Sequence, residues 1–259
     1  MPAPAVIHCL GDSHVCFFSG QDRIFVAGSE ASNALPFFRA LHLGPSLAYN
    51  LIKPDSSTRG REKLFEALEQ KVPTGGYVLL SYGEIDCRAH LLKHAEETQR
   101  PLAEVVGDCV ERYFRVIEEV RGRGYELVVY NAPPSGRRPN KSNFPSHGTC
   151  LERNAVTRLY NTALAGRCAA AKIKFLGTFA DLVPASGWSR EYYFWDHIHV
   201  GQRAMPVTLR RLGELFPGAD FTPPVAWRRA VFWSRLLPRK RVRLDEAVGP
   251  VLKSSNNHG

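Results

Sequence analysis

The sequence has no long apolar segment and no internal repeat. No window approaches the roughly 20 continuous apolar residues that cross a bilayer, so no membrane-spanning helix is predicted. The lack of a repeat of roughly 20 to 50 residues excludes a solenoid. The first residues include neither a basic stretch nor a long apolar one, so no secretory signal is expected. Hydrophobic residues still make up 44% of the 259 positions, which is enough for a globular fold.

Cysteine is sparse, and no two cysteines form a CxxC pair. This scattered pattern favours free thiols in a reducing cytoplasm over a disulfide framework or a zinc site. A cytoplasmic protein is therefore expected, with peripheral attachment to the inner membrane face as an alternative. The six cysteines are Cys9, Cys16, Cys87, Cys109, Cys150 and Cys168.

Positive charge is concentrated at the C-terminal end. Residues 225–259 contain eight basic and two acidic residues, a net charge of +6, and the other 224 residues carry only +3. Trp227, Phe232 and Trp233 lie among these charges. Such a segment suits an anionic membrane surface or a polyanion, and the alternative is a solvated final helix whose aromatic rings pack back on the domain. Nucleic acid is not an expected partner, because the body of the chain is not basic.

Short β-branched runs alternate with longer helical stretches. This alternation predicts a parallel sheet with helices on both faces, an α/β three-layer sandwich. One domain is expected over 1–220, followed by a basic extension over 221–259 that forms a helix and a frayed end. The predicted strands are Ala5–Leu10, Tyr77–Tyr82, Glu126–Tyr130 and Lys172–Leu176, and the predicted helices lie near 57–71, 101–121, 151–171 and 202–215.

Polar residues follow three of these predicted strands, where functional loops of a parallel sheet meet. The first strand leads into Gly11-Asp-Ser-His14, the second into Gly83-Glu-Ile-Asp86, and the third into Asn131. No glycine-rich phosphate loop is present. A serine in a tight turn after a strand can supply a nucleophilic hydroxyl and its own N–H as an oxyanion donor. An Asx-type turn or helix cap is the alternative.

A second polar cluster lies at Trp195-Asp-His-Ile-His199, before the last predicted helix of the domain. Asp196 and His199 are three residues apart, so the carboxylate can orient the imidazole towards a serine. His197 is a competing base, ranked lower because its side chain points away from Asp196. Metal ligation is a further alternative, but no third ligand cluster accompanies the pair.

Together, the two clusters resemble the first and last sequence blocks, Gly-Asp-Ser and Asp-x-x-His, of the SGNH hydrolases, also called the GDSL esterase family. The resemblance covers residues 5–215 and implies a flavodoxin-like α/β fold without a metal or other cofactor. It makes Ser13 the nucleophile, His199 the general base and Asp196 its orienter. It also makes Gly44 the second-block glycine whose N–H joins that of Ser13 in the oxyanion hole, with an ordinary turn before Pro45 as the alternative.

The third block departs from the family pattern of Gly-x-Asn-Asp. Ile85 stands where the asparagine is expected, and an isoleucine cannot donate to an oxyanion. One missing donor costs about 3–4 kcal/mol of transition-state stabilisation. Asn131, after the next strand, is the expected replacement, and the alternatives are a hole with two backbone donors or an activity that is weak or different. The Gly-Glu-Ile-Asp-Cys-Arg88 string resembles a variant associated with bacterial sugar-polymer modification.

Charged residues near these blocks are expected to bind substrate. For Glu84, Asp86 and Arg88 the interpretation is contact with substrate hydroxyls, and the alternative is a structural ion pair. Asp12 and His14, which flank the serine, are also assigned to substrate binding. Three basic residues follow Asn131 and suit an anionic substrate or the phosphates of an acyl donor, unless the loop is only solvated. They are Arg137, Arg138 and Lys141.

The leading hypothesis is a serine esterase or deacetylase that acts on an acylated carbohydrate or a related small ester. The alternatives are an O-acyltransferase that modifies a glycan precursor and a weakly catalytic glycan-binding module. The substitution at Ile85 favours the binding module, and the retained triad residues favour catalysis.

Overall fold

A single parallel sheet of five strands organises the chain. The computed structural model describes residues 6–29, 32–137 and 144–236. The strands are β1 (Ile7–Gly11), β2 (Phe38–His42), β3 (Tyr77–Ser81), β4 (Glu126–Tyr130) and β5 (Lys174–Leu176), in the order β2-β1-β3-β4-β5. The helices are α1 (Gly60–Lys71), α2 (Leu91–Thr98), α3 (Leu102–Gly122), α4 (Cys150–Ala170), α5 (Phe179–Leu182), α6 (Met205–Leu215) and α7 (Val225–Leu236).

Both faces of the sheet are covered, which explains why its strands are almost continuously apolar. Leu80 and Val129 face a core that contains buried side chains of α1, α3 and α4. Leu79 and Val128 face a second core that contains buried side chains of α6 and α7. The predicted three-layer α/β sandwich is therefore confirmed.

Three elements, β2, α2 and the short α5, were not predicted, and the last strand begins later than expected. β2 is an edge strand interrupted by the exposed Arg39, so its apolar run is too short to recognise. α2 follows directly on a π-helix, Asp86–His90, within a polar stretch. The strand predicted from Lys172 begins only at Lys174, because Lys172 has a φ of +56° at the turn after α4.

The sheet brings the polar segments to one edge, as predicted. Gly11, at the end of β1, is in register with His42 of β2 and with Ser81 of β3. The segments that follow these strands therefore start side by side. Leu43 strengthens the edge, since its N–H donates to the carbonyl of Gly11 at 2.8 Å.

The C-terminal helix belongs to the second core. Phe221, Trp227 and Val231 are buried in it, and Trp227 Nε1–H donates to the carbonyl of Gly20 at 2.9 Å. The division at residue 220 stays a prediction, and the frayed end predicted at 254–259 lies outside the described residues. Over 6–29, 32–137 and 144–236, no helix is both long and apolar enough to span a bilayer. All six cysteines are buried free thiols.

Candidate active site

Ser13 is positioned by a tight turn at the end of β1. A side chain at Gly11 would collide with the carbonyl of Ser81, so only glycine fits there. Asp12 then caps a 3-10 helix, Ser13–Ser19, by accepting the N–H of His14 on Oδ1 at 2.9 Å. Ser13 is the first residue of this helix, and its own N–H is one of the amides that a helix start leaves unpaired. The cap predicted as an alternative is present, and it serves to present the serine.

The predicted triad is assembled in the structure. Ser13 Oγ lies 2.8 Å from His199 Nε2, and His199 Nδ1 lies 2.7 Å from Asp196 Oδ2. Asp196 is held in turn, because its Oδ1 accepts the N–H groups of Ile198 and His199 at 2.7 and 2.6 Å. With Nδ1–H donated to the carboxylate, Nε2 is free to accept the serine proton. His197, the competing base, is exposed.

The environment of His199 keeps the imidazole neutral. Burial lowers the pKa of His199, and the neighbouring His14 lowers it further, against the opposing effect of the Asp196 hydrogen bond. Burial raises the pKa of Asp196, but the hydrogen bonds from His199 and from the N–H of Ile198, together with the charge of His199, leave the pKa below its ordinary value. At neutral pH the site therefore combines a neutral base with a charged carboxylate, as general-base catalysis requires.

A buried ion network lies beneath the triad. Glu84 accepts from Arg88 Nε at 2.8 Å and from His14 Nε2 at 3.0 Å. Burial opposes ionisation of Glu84, but His14 and Arg88 bring its pKa down to about 2. The ring of His14 lies 4.7 Å from that of His199 between centroids. Arg88 also donates to the carbonyl of Pro145.

These contacts correct the prediction of direct substrate binding by the charged residues. Glu84 and Arg88 form the structural ion pair that was the alternative, and both are at most 5% exposed. Asp86 accepts the N–H groups of Ala48 and Tyr49 at 2.7 and 3.1 Å, which fixes the segment after β2. Asp12 is a buried cap, and burial raises its pKa to about 6.

His14 lines the cleft beside Ser13, so its predicted contact with substrate stays a prediction. Burial lowers the pKa of His14, but Glu84 and Asp12 leave it above its ordinary value, and its ring lies beside that of His199.

Asn131 is not an oxyanion donor, contrary to the prediction. Its Oδ1 accepts from the N–H and hydroxyl of Thr178 and from the N–H of Phe179, and its Nδ2 donates to the carbonyl of Ala132. Asn131 is 1% exposed and ties the end of β4 to the start of α5. The physical reason is that an asparagine at a strand end satisfies neighbouring backbone donors before it reaches a cleft.

The assignment of Gly44 as the second oxyanion donor stays a prediction. It follows β2 at the same edge as Ser13 and has a φ of +92°, a conformation that favours glycine. Among the described residues, no group accepts its N–H. Asp86 anchors the chain just beyond it at Ala48.

The triad opens into a narrow cleft at the surface. Trp195 stacks on His199 with centroids 5.7 Å apart, and Phe144 meets the same ring edge-on at 6.5 Å. Arg23 and Ile24 are exposed on the walls; no strand precedes them, so nothing in the sequence marked them as site residues. The lining residues are Ser13, His14, Cys16, Phe17, Arg23, Ile24, Tyr130, Pro133, Trp195, His199 and Val200.

The basic loop after β4 is only partly described. Arg137 Nε donates to the carbonyl of Ser189 at 2.6 Å, and its guanidinium lies 5.5 Å from the ring centroid of Trp188. This contact favours a structural role for Arg137. Arg138 and Lys141 lie outside the described residues, so their predicted contact with an anionic substrate stays a prediction. No group of three or more possible metal ligands occurs within 6–29, 32–137 and 144–236.

Comparison with known proteins shows similarity in structure only. No family model and no curated protein sequence matches this chain. A Streptococcus pneumoniae structure named for platelet activating factor is 15% identical and covers 82% of this chain and 85% of its own, with a TM-score of 0.54. An acetylxylan esterase from Geobacillus stearothermophilus, crystallised as a catalytic mutant, is 11% identical and covers 86% and 99%, with a TM-score of 0.51. At these identities the likeness shows the fold, which agrees with the α/β fold expected from the SGNH resemblance.

Proposed function

We propose that this protein is a serine-dependent ester hydrolase that acts on an acylated carbohydrate or a related small ester. The observation that carries the proposal is the continuous hydrogen-bonded relay from Ser13 through His199 to Asp196. A structural serine has no need of an imidazole held in the accepting tautomer by a carboxylate. The same arrangement activates serine nucleophiles on unrelated folds.

The reaction proceeds through an acyl-enzyme. Ser13 Oγ attacks the ester carbonyl while His199 Nε2 takes its proton, and Asp196 stabilises the imidazolium. The N–H groups of Ser13 and Gly44 receive the oxyanion. Collapse expels the alkoxide, which takes the proton from His199. A water molecule then gives a proton to His199 and attacks the acyl group, so that Ser13 and a carboxylic acid are released.

The substrate class rests on the cleft and on one structural neighbour. The narrowness of the cleft beside Ser13 suits a short acyl group better than a long chain. Trp195, stacked on the base, offers an aromatic surface of the kind that packs against a sugar ring. The acetylxylan esterase of similar fold has an acylated carbohydrate in its name. Together these features favour a small acyl group on a carbohydrate.

An O-acyltransferase is the second candidate, because the rings around the base restrict water. His199 is 4% exposed and is covered by His14, Phe144 and Trp195. In a transferase, a sugar hydroxyl replaces water as the proton donor to His199 and as the attacking group. The relay is the same in both reactions, so only the acceptor distinguishes them.

The test compares wild type, Ser13→Ala and the matched control Ser29→Ala, which removes an exposed loop hydroxyl. With p-nitrophenyl acetate, Ser13→Ala is expected to lower kcat by at least about 10³-fold, and Ser29→Ala to leave it unchanged. A fluorophosphonate probe is expected to label Ser13 at one site per chain. Acetylated product that forms only with a sugar acceptor selects the transferase. Equal turnover by all three proteins, without labelling, contradicts catalysis and favours the glycan-binding module.

A further inference from the structure

Helix α7 buries one face and leaves an apolar face in solvent. Trp227, Val231 and Ser234 are 2–4% exposed and lie on one side of the helix, since a residue turns the helix by about 100°. The opposite side carries four large apolar side chains that are 53–59% exposed. These four are Val225, Phe232, Trp233 and Leu236. Together with Arg228, Arg229 and Arg235 of the same helix, we call them the outer face.

The four exposed side chains cannot pack into the domain, because the opposite side of the helix is already fixed to it. Trp227 is fixed by its hydrogen bond to the carbonyl of Gly20, and Arg203 donates to the carbonyl of Ser234. The inner face is therefore docked on the domain at both ends of the helix. The rings of Phe232 and Trp233 contact each other edge-on at 5.6 Å, so they form one compact aromatic patch in solvent. Such exposure is costly unless something covers the patch.

The charge on this helix is of one sign. Arg228, Arg229 and Arg235 are exposed, and no carboxylate among the described residues pairs with them. The sequence contains no acidic residue from Phe221 to Leu244. At 100° per residue Arg229 falls between Val225 and Trp233, and the other two arginines lie along one flank. The outer face thus combines apolar side chains with three arginines that pair with no carboxylate of residues 6–29, 32–137 and 144–236.

The apolar side chains and arginines of the outer face together favour an anionic bilayer over a protein or a nucleic acid. A second copy of the chain would bring arginines against arginines, which is unfavourable. A nucleic acid would neutralise the arginines but would meet a helix centre made of valine, phenylalanine and leucine. An anionic bilayer satisfies both, because acyl chains accept the apolar groups and headgroups pair with the arginines.

We propose that the outer face of α7 binds the surface of an anionic lipid bilayer, with Phe232 and Trp233 inserted at the level of the headgroups. The helix lies in the plane of the membrane and does not cross it. This inference is independent of the proposed ester chemistry, because it uses no residue of the triad or the cleft. Each arginine near an anionic surface contributes about a five-fold gain in affinity, so three contribute about 100-fold.

The experiment measures binding of the full chain to vesicles by co-sedimentation. Vesicles of phosphatidylcholine alone are compared with vesicles that contain phosphatidylglycerol in addition. We expect binding to the anionic vesicles only, and a loss as salt is raised. The variant Arg228→Gln, Arg229→Gln, Arg235→Gln is expected to lose about 100-fold in affinity. Phe232→Ala, Trp233→Ala is expected to lose at least about ten-fold.

Control variants remove exposed side chains from elements other than α7. Lys93→Gln, Arg115→Gln, Arg167→Gln removes three exposed charges from α2, α3 and α4, and Trp188→Ala removes an exposed ring from a loop. Both controls are expected to bind as wild type does. Thermal unfolding checks that the variants fold. Quenching of Trp233 by brominated lipid, absent in Trp233→Phe, tests insertion in an intact helix.

Failure to bind anionic vesicles would overturn the proposal, as would equal losses in the controls or no quenching of Trp233. Tighter binding to a single-stranded oligonucleotide than to anionic vesicles would assign the outer face to nucleic acid instead. A dimer that Phe232→Ala, Trp233→Ala dissociates would assign it to a second copy. Esterase activity is measured in parallel and is expected to be unchanged in every α7 variant, so failure of this proposal leaves the proposed function standing.

Discussion

Replacing His14 by glutamine is expected to move the acidic limb of the pH–rate profile to higher pH. The ring of His14 lies 4.7 Å from that of His199, and its Nε2 lies 3.0 Å from the carboxylate of Glu84. The charged groups that act on His14 are Asp12, Glu84 and Arg88. The position therefore tests whether a second histidine sets the proton affinity of the base.

The sign follows from the protonation states. Burial lowers the pKa of His14, but Glu84 and Asp12 outweigh it, so the pKa is raised and His14 is a cation in weakly acidic solution. Burial and this cation lower the pKa of His199, whereas Glu84 raises it. Replacing His14 removes the cation that lowers the pKa of His199 and leaves Glu84, which raises it. More His199 is then protonated at a given acidic pH, and protonated His199 cannot act as the base.

The magnitude is bounded by the geometry. Two like charges 4.7 Å apart repel by about 3.5 kcal/mol at an effective dielectric constant near 20. Glu84, closer to His14 than His199 is, cancels part of this repulsion. We therefore expect kcat/KM to fall about ten-fold at acidic pH, where a ten-fold change corresponds to about 1.4 kcal/mol. Above the raised pKa of His14 both proteins are uncharged at this position, and the difference should disappear.

The assay is kcat/KM for p-nitrophenyl acetate across the acidic and alkaline limbs. His90→Gln, which removes an exposed histidine of the π-helix, serves as the matched control and is expected to follow the wild-type profile. A His14→Gln profile that superimposes on wild type, or an acidic limb at lower pH, would refute the reasoning. An equal loss at every pH would show that His14 acts only through structure.

Four further substitutions test the site and its support. Asp196→Asn is expected to lower kcat by about 10⁴-fold with little change in Tm, because the amide leaves His199 without its carboxylate. Asn131→Ala is expected to lower the free energy of unfolding by about 1–3 kcal/mol, since it leaves buried donors unpaired, and to leave kcat of the folded enzyme intact. Gly83→Ala is expected to cost more than about 2 kcal/mol in urea unfolding, because φ is +106° and the new Cβ lies 2.5 Å from Tyr160. Gly107→Ala, which meets nothing within 4 Å inside α3, is expected to stabilise the protein by about 1 kcal/mol.

The triad was predictable because its signals are local and its geometry is generic. Ser13 follows a strand. Asp196 and His199 are three residues apart, a spacing that lets both side chains point to the same side. Parallel strands then bring the nucleophile to the sheet edge, and the structure places the three groups in hydrogen-bond contact. The alternation of strands and helices likewise predicted the layers, because buried strands and amphipathic helices have distinct periods.

The supporting residues were not predictable in the same way. Asn131 and Glu84 stand at the ends of strands, where the sequence suggests a cleft, yet their side chains satisfy groups far away in the chain. Asn131 pairs with backbone 47 residues later, and Glu84 pairs with a histidine of the first strand's loop. Such partners depend on tertiary neighbours, and no local pattern encodes them.

Glu84, in the segment after β3, and His14, in the turn after β1, form one buried pair beside His199. Glu84 pairs with His14 and, with Asp12, raises the pKa of His14 next to the base. When protonated, His14 disfavours the imidazolium on His199, and in the proposed mechanism it favours the oxyanion that forms at the same moment on the substrate. In alkaline solution His14 is neutral in the folded enzyme, and only its hydrogen bond to Glu84 distinguishes it from glutamine. The pH dependence of the His14→Gln loss therefore separates the charge of His14 from its place in the structure.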